Sequence, residues 1–339
     1  MNNTKQLSRK EMKIEFEGKL GFWQRMRLKL LSTAFLGNLV YKIFRFVLLI
    51  GISYIILYPF FTKIMASFMS TTDFVDVTVK LIPRNPTLDQ WKFIVLENKY
   101  FLALFNTARV SILCAFFQTL ICAIVGYGFA KFKFKGRNLL FFAVIITLLI
   151  PHDTLLLAMF MQFRYFDIFG IFGLFTSGQG FNLINTEWPV YLLSLTGLAF
   201  KNGLYIFIFR QFYKGVPDEL EEAAYIDGTG VFQTFFRIIL PLSVPMMTTI
   251  FMFAFSWQWT DTFYTASPFF TTSGATMLPN IVKVPSSLKV DFAASTLWES
   301  AITNTCGLLV ILPLFIVFLF AQRSLVEGIE RSGIVGQTM

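Results

Sequence analysis

With 339 residues, 55% of them hydrophobic and only 14% charged, the chain carries more apolar surface than a soluble fold can hide, because a single core stops growing near ~250–300 residues. Its mean hydropathy is +0.63 and its apolar residues fall in long blocks, so an all-α integral membrane protein is expected. The net charge of +9 is concentrated before Phe46 and in short loops between apolar blocks. That is the distribution of basic cytoplasmic loops and not of a nucleic-acid surface.

In chain order, residues 1–45 alternate basic and apolar side chains, among them Leu20, Phe22, Trp23, Met26 and Leu30. They read either as an amphipathic cytoplasmic helix lying on membrane lipid or as a disordered basic arm. No cleavable signal peptide is expected. Residues 46–321 hold six apolar runs of the ~20 residues that a spanning helix needs. The runs are Phe46–Phe68, Leu102–Ala130, Asn138–Phe163, Pro189–Phe209, Leu242–Tyr264 and Ile302–Ala321. Helix is the expected form, because backbone groups in lipid must be satisfied within the segment. Residues 322–339 form a cytoplasmic tail.

Basic residues set the orientation. Arg25, Arg27, Lys29, Lys42 and Arg45 precede the first run, Lys131, Lys133, Lys135 and Arg137 follow the second, and Arg210, Lys214 and Arg237 flank the connection after the fourth. With Arg323 after the last run, all of these lie on one side of a six-span protein, so both termini are expected in the cytoplasm. The opposite side has charge-balanced loops such as Ser70–Tyr100, where Lys80 and Arg84 meet Asp73 and Asp76. A second outer loop, Arg164–Trp188, is rich in Gly and Phe, and its role stays open.

Little in the chain resembles catalytic chemistry. Cys114, Cys122 and Cys306 lie inside apolar runs without CxxC spacing and read as buried thiols. With His152 the single histidine, no metal site is expected. There is no GxxxxGK phosphate loop and no nucleophile elbow. His152 and Asp153 follow Pro151 and suit a structural kink better than a proton relay. Lys201-Asn202-Gly203 interrupts the fourth run with a charge and a helix breaker, either a discontinuity lining a pore or a packed kink. Arg109 and Lys63 are expected near span ends or in local pairs.

The connection at about 210–241 is the most informative stretch. Pro217 suits the first position of a helix, Asp218, Glu219, Glu221 and Glu222 favour its positive end, and Gly228 can take the left-handed conformation that ends it. Val231, Phe232, Phe235, Phe236 and Ile239 then recur at helical spacing. A short cytoplasmic hairpin with an apolar face either docks into a groove on another protein or lies against the membrane surface.

Glu222-Ala223-Ala224, three residues, Gly228, nine residues and Ile238-x-Leu240-Pro241 resemble the EAA loop of bacterial ATP-binding-cassette import permeases at every position. Phe207-Ile208-Phe209-Arg210-Gln211-Phe212, Pro217-x-Glu219-Leu220, Ala224-Tyr225-Ile226-Asp227-Gly228, Tyr127-Gly128-Phe129-Ala130-Lys131-Phe132, Phe134-x-Gly136-Arg137 and Ile150-Pro151 look like the carbohydrate-uptake branch that includes the maltose permeases. The tail Gln322-Arg323-x-Leu325-Val326-x-Gly328, ending in Gly333-Ile334-Val335-Gly336, resembles the second permease subunit of those systems. The resemblance covers roughly Ile50 to Gly336. It departs at Ile334-Val335-Gly336, where a basic residue often precedes the last Gly, and at Trp259-Thr260-Asp261, where Trp-Asn-Asp is common.

The resemblance implies the importer-type permease fold and a multi-pass subunit of a bacterial inner membrane. It implies a sugar or oligosaccharide as solute, and as partners a second homologous permease, two ATPase subunits and an extracellular or periplasmic sugar-binding protein. No cofactor is implied for this chain, ATP and Mg being used by the ATPase subunits. The ATPase-coupling residues are then Glu222, Ala223, Ala224, Asp227, Gly228, Ile238, Leu240 and Pro241, with tail contacts from Gln322, Arg323, Gly328 and Gly336. Lys201, Asn202, Trp257, Trp259 and Asp261 are the candidates for a translocation path, although aromatic residues near a membrane interface need no ligand. The competing readings are an ion-coupled secondary transporter, which lacks buried coupling carboxylates here, and an importer permease for a non-sugar solute.

Overall fold

The computed structural model describes residues 33–176, 178, 180–264, 276–290 and 295–334, and among them the secondary structure is helical apart from one isolated bridge, Phe166 to Phe181. The described residues divide into two units at Met65/Ala66.

The first unit is helix α1 (Thr33–Ala66). It continues through the boundary expected at residue 46, because nothing between Thr33 and Phe46 breaks a helix. The amphipathic segment expected around Leu20–Leu30 lies outside the described residues. The apolar side chains of α1, such as Val40 and Ile55, are exposed. A helix that is apolar all round requires lipid or another chain around it.

The second unit opens with α2 (Thr71–Val75), whose Phe74 meets Trp298 edge-on, and α3 (Asp89–Glu97), which is stitched to the C-terminal half by polar side chains. Asn98 donates to the carbonyls of Ile281 and Lys283, and Thr305 donates to Gln90 Oε1. Arg84 pairs with Asp76 at 2.8 Å, while Asp73 accepts instead from the Asn85 backbone and amide.

Helix α4 (Tyr100–Lys131) is the central member, and its buried face is dominated by small residues: Ala103, Ala115, Cys122, Ala123 and Gly126. Small faces let membrane helices approach closely. A Cβ at Gly126 would stand 2.6 Å from Phe209 Cβ, so the helix carrying Phe209 touches backbone at this point.

Among the described residues, three helices are long and apolar enough to cross a membrane, Gly37–Ala66, Tyr100–Lys131 and Ser295–Arg323. The third and fourth expected runs are broken, and the fifth holds a single helix of 16 residues. The third becomes α5 (Arg137–Ile146), a 3-10 turn at His152–Leu155 and α6 (Leu156–Arg164). Pro151 accounts for that break, since it lacks an N–H and forces the preceding residue out of the helical region. The fourth run becomes α7 (Trp188–Thr196) and α8 (Asn202–Lys214), separated where Gly197 takes φ +77°. After α8 come α9 (Glu219–Ile226), α10 (Val231–Thr234), a π-helical turn (Phe235–Ile239) and α11 (Leu240–Leu242). Helix α12 (Val244–Trp259) follows across a bend of 75°.

Helix α13 (Ser295–Ile334) runs unbroken through the expected tail boundary. Residues 322–334 of the expected tail are therefore helical. Gly328 is the reason they stay close to the core: a Cβ there would lie 2.0 Å from Thr249 Oγ1 and 3.1 Å from the Pro245 carbonyl. The C-terminal half of α13 thus packs against the start of α12.

Candidate functional site

Helix α9 is pinned to the end of α4 by a buried cation. Lys131 is the last residue of α4, and its Nζ donates to the Val216 carbonyl at 2.7 Å and to Asp218 Oδ1 at 2.5 Å. The same ammonium lies 3.4 Å from Glu221 Oε1, both side chains being about nine-tenths buried. Tyr127 donates its hydroxyl to Glu221 Oε2 at 3.1 Å. Tyr127 and Lys131 are one turn apart on α4, and Asp218 and Glu221 are one turn apart at the start of α9, so two helical ridges meet in register. Hydrogen bonding by Lys131, and then its charge, hold the Asp218 carboxyl below the usual carboxylate range.

The far end of α9 closes on Gly228, whose φ of +82° is a left-handed cap. The Gly228 N–H donates to the Tyr225 carbonyl at 3.0 Å. Thr229 adds its N–H and its hydroxyl to the Ala224 carbonyl at 3.1 and 2.7 Å. The hydroxyls of Thr229 and Thr234 then meet at 2.9 Å, linking the turn to α10. The π-helical turn that follows has a local cause: Pro241 has no N–H to continue the ladder, and wide turns occur where the i→i−4 pattern fails. Tyr213 at the end of α8 donates toward Ser243 Oγ at 3.2 Å, tying the hairpin's exit to its entrance.

This architecture gives the hairpin two faces. Glu221, Ala224, Thr234, Phe235 and Ile239 point inward, and the Phe235 ring lies 4.7 Å from that of Tyr127. Ile226 is 86% exposed and Phe232 78%, with Leu220, Tyr225 and Phe236 also exposed. Apolar patches of this kind rimmed by acids mark interaction surfaces. Of the residues read from sequence, Glu222, Ala223, Asp227, Gly228 and Pro241 are exposed, Ile238 and Leu240 are half-buried, and Ala224 faces inward. Lys131, Tyr127 and Glu221 stand in the sequence as an orienting charge, part of a family-like stretch and a helix-dipole acid, and not as one site. The matching i, i+4 and i, i+3 spacings were the signal, but their register across 94 residues is set only by the fold.

The path candidates separate. Lys201, Trp257 and Asp261 line one cavity of about 230 Å³ beside the break between α7 and α8. Asn202 is fully buried next to it, and neither of its amide atoms has a hydrogen-bond partner. Trp259 is different: it is 2% exposed and donates its indole N–H to the Val310 carbonyl at 2.9 Å, which makes it part of the contact between α12 and α13. Asp261 accepts the N–H of Phe263 and of Tyr264 and so shapes the turn after α12. His152 stacks on Phe200 with ring centres 3.7 Å apart, beside Pro151, the geometry of a packed kink. Arg109 pairs with Glu187, which also accepts from Tyr191. Gln322, Arg323 and Gly328 lie on α13, and Gly336 lies outside the described residues. The three cysteines are buried and free.

Residues 118–331 match the family described as binding-protein-dependent transport system inner membrane component. The chain is 28% identical over 298 residues to the galactooligosaccharides transport system permease protein GanQ of Bacillus subtilis (strain 168), covering 87% of this chain and 95% of that one. It is 30% identical over 293 residues to the arabinooligosaccharides transport system permease protein AraQ of Halalkalibacterium halodurans, covering 84% and 93%. Among solved structures, a chain of a bacterial ABC transporter involved in the import of the acidic polysaccharide alginate superposes with a TM-score of 0.64 at 18% identity. That match covers 85% of this chain and 97% of that one, and it shows a shared fold.

Proposed function

The chain belongs to the binding-protein-dependent transport system inner membrane component family, and from that premise we propose that it is one permease half of a bacterial ATP-binding-cassette importer for a sugar or oligosaccharide. The observation that carries the mechanism is the hairpin from Gly215 to Ser243, which is rigidly held on its inner face and offers acids and bare apolar side chains on its outer face. It carries no phosphate loop, so ATP and Mg belong to partner chains.

In this reading the protein crosses the inner membrane six times, the broken third and fourth segments and α12 each serving as one crossing, and both termini face the cytoplasm. A second homologous permease completes the pore, two ATPase subunits receive the hairpins, and an extracellular or periplasmic binding protein delivers the solute. The exposed Ile226 and Phe232 enter a groove on the ATPase. Glu222 accepts charge-assisted hydrogen bonds from that groove. Closure of the ATPases pushes on α9. Because α9 is clamped to α4 by Lys131 and Glu221, the push moves the central helix of the core. Gln322 and Arg323, in the C-terminal half of α13, supply a further contact.

Purification of the tagged chain from its native membrane, mass spectrometry of its partners, and an ATPase assay with galacto- and arabino-oligosaccharides test the reading. Recovery of a second permease and an ATPase, with hydrolysis stimulated by sugar-loaded binding protein, is expected. Recovery of the chain alone, transporting under an ion gradient without ATP, would put the secondary transporter in its place.

A further inference from the structure

We propose that this chain carries its own wall of a solute subsite, at the break between α7 and α8, shaped for a saccharide with an anionic substituent; this rests on the sugar-importer reading. The cavity of about 230 Å³ is lined by Gln118, Lys201, Tyr205, Trp257, Gln258 and Asp261 among others. It is smaller than the ~300–1,000 Å³ of a complete ligand pocket. The opposite wall therefore comes from the second permease.

Three features of the wall require a ligand. Tyr205 is fully buried and its hydroxyl has no hydrogen-bond partner. Gln258 is 7% exposed and its Nε2 has none either. Buried polar groups are nearly always satisfied, so two unsatisfied ones on a single cavity wall mark a place where hydroxyl groups bind. The third is Lys201. Its ammonium lies 4.1 Å from the centre of the Trp257 ring and makes no ion pair among the described residues.

Asp261, the acid on the same wall, is engaged by the backbone N–H groups of Phe263 at 3.3 Å and Tyr264 at 2.9 Å. Lys201 also stands at the start of α8, so the positive end of the helix adds to its charge. A cation without a carboxylate partner among the described residues, at a broken segment within the membrane, favours an anionic group. Trp257 is 55% exposed and offers a face on which a sugar ring can stack, while Tyr205 and Gln258 meet the ring hydroxyls. A carboxylate on the sugar, as in a uronate, then reaches Lys201.

The test uses the whole importer, purified with its permease and ATPase partners but without its binding protein. Calorimetry measures binding of a galacturonate trisaccharide and of the neutral galactose trisaccharide. The acidic sugar is expected to bind about tenfold more tightly, the scale of one hydrogen bond to a charged group. Lys201→Met removes that preference, Lys201→Arg retains it, and Tyr205→Phe weakens both sugars alike. Equal affinities in the natural protein, no binding of either sugar, or a preference that survives Lys201→Met would overturn the subsite. A chain that purifies without any ATPase would instead defeat the importer reading beneath it.

Discussion

Gly126 and Gly328 show how single hydrogen atoms set helix spacing here. At Gly126 an added methyl meets Phe209 Cβ at 2.6 Å and the Arg210 backbone N at 3.1 Å, neither of which can swing away. Gly126→Ala therefore forces α4 and α8 apart and is expected to destabilise the core by ~1–3 kcal/mol, the usual cost of overpacking. A lowered unfolding midpoint in detergent checks this. Gly228 offers a contrast, because nothing lies within 4 Å of its missing Cβ while its φ is +82°. Any penalty there is conformational, ~1–2 kcal/mol for an L-residue forced left-handed. Gly228→Val should consequently leave membrane insertion and yield intact while sugar uptake collapses, since the turn that presents Phe232 is lost. Undiminished uptake would remove the hairpin from the mechanism. The left-handed cap at Gly228 was legible from sequence, because a helix rich in N-terminal acids must end and Gly ends it. The role of Gly126 was not, because its neighbour Phe209 lies on another helix.

At the scale of elements, the clamp between α4 and α9 decides whether motion of the hairpin reaches the core. Lys131→Met leaves Glu221 buried without its cation, and breaking such a pair costs ~3–5 kcal/mol. The loss is expected to appear as ATPase activity that no longer responds to sugar, with the complex still assembled. Adding Glu221→Gln to Lys131→Met removes the orphaned charge and should restore part of the stability, so a thermal double-mutant cycle in which the two losses simply add would speak against the clamp. The same junction carries a pH signature. Lys131 lowers the folded pKa of Asp218, so this contribution is fully present above the ordinary Asp value of about 3.9. It is lost as pH falls through the depressed folded value, and not on the alkaline side. Acid unfolding followed by helical signal should shift for Asp218→Asn only below that range. Sequence reading found the acids of α9 and the basic run after α4 separately. It assigned the first to the helix dipole and the second to orientation, because only the fold brings Lys131 to Asp218 and Glu221.

Across the whole molecule, the apolar runs were legible because membrane helices announce themselves by length, and Tyr100–Lys131 and Ser295–Arg323 cover the second and sixth expected runs. Their interruptions were only half legible. Lys201-Asn202-Gly203 marked the break in the fourth run, but the turn itself centres on Gly197 and was not foreseen. Trp259 looked like an interfacial aromatic, and its indole N–H instead joins α12 to α13. Broken segments matter because the number of crossings fixes where each loop lies. If each broken segment crosses once, the loop with Arg84 and Asp76 and the loop with Lys135 face opposite sides of the membrane. If the fifth segment, α12, which meets the hairpin at a bend of 75°, re-enters instead of crossing, the segment order changes parity after it, and the end of α13 moves to the outer side. Single cysteines placed at Arg84, Lys135 and Arg323, in a background with Cys114, Cys122 and Cys306 replaced, discriminate these cases with a membrane-impermeant maleimide. Labelling from outside at position 84 alone is expected, because the basic residues of the other two sites belong on the cytoplasmic side. Labelling at both 84 and 323 would show the re-entrant fifth segment, and with it a C-terminus that cannot touch an ATPase.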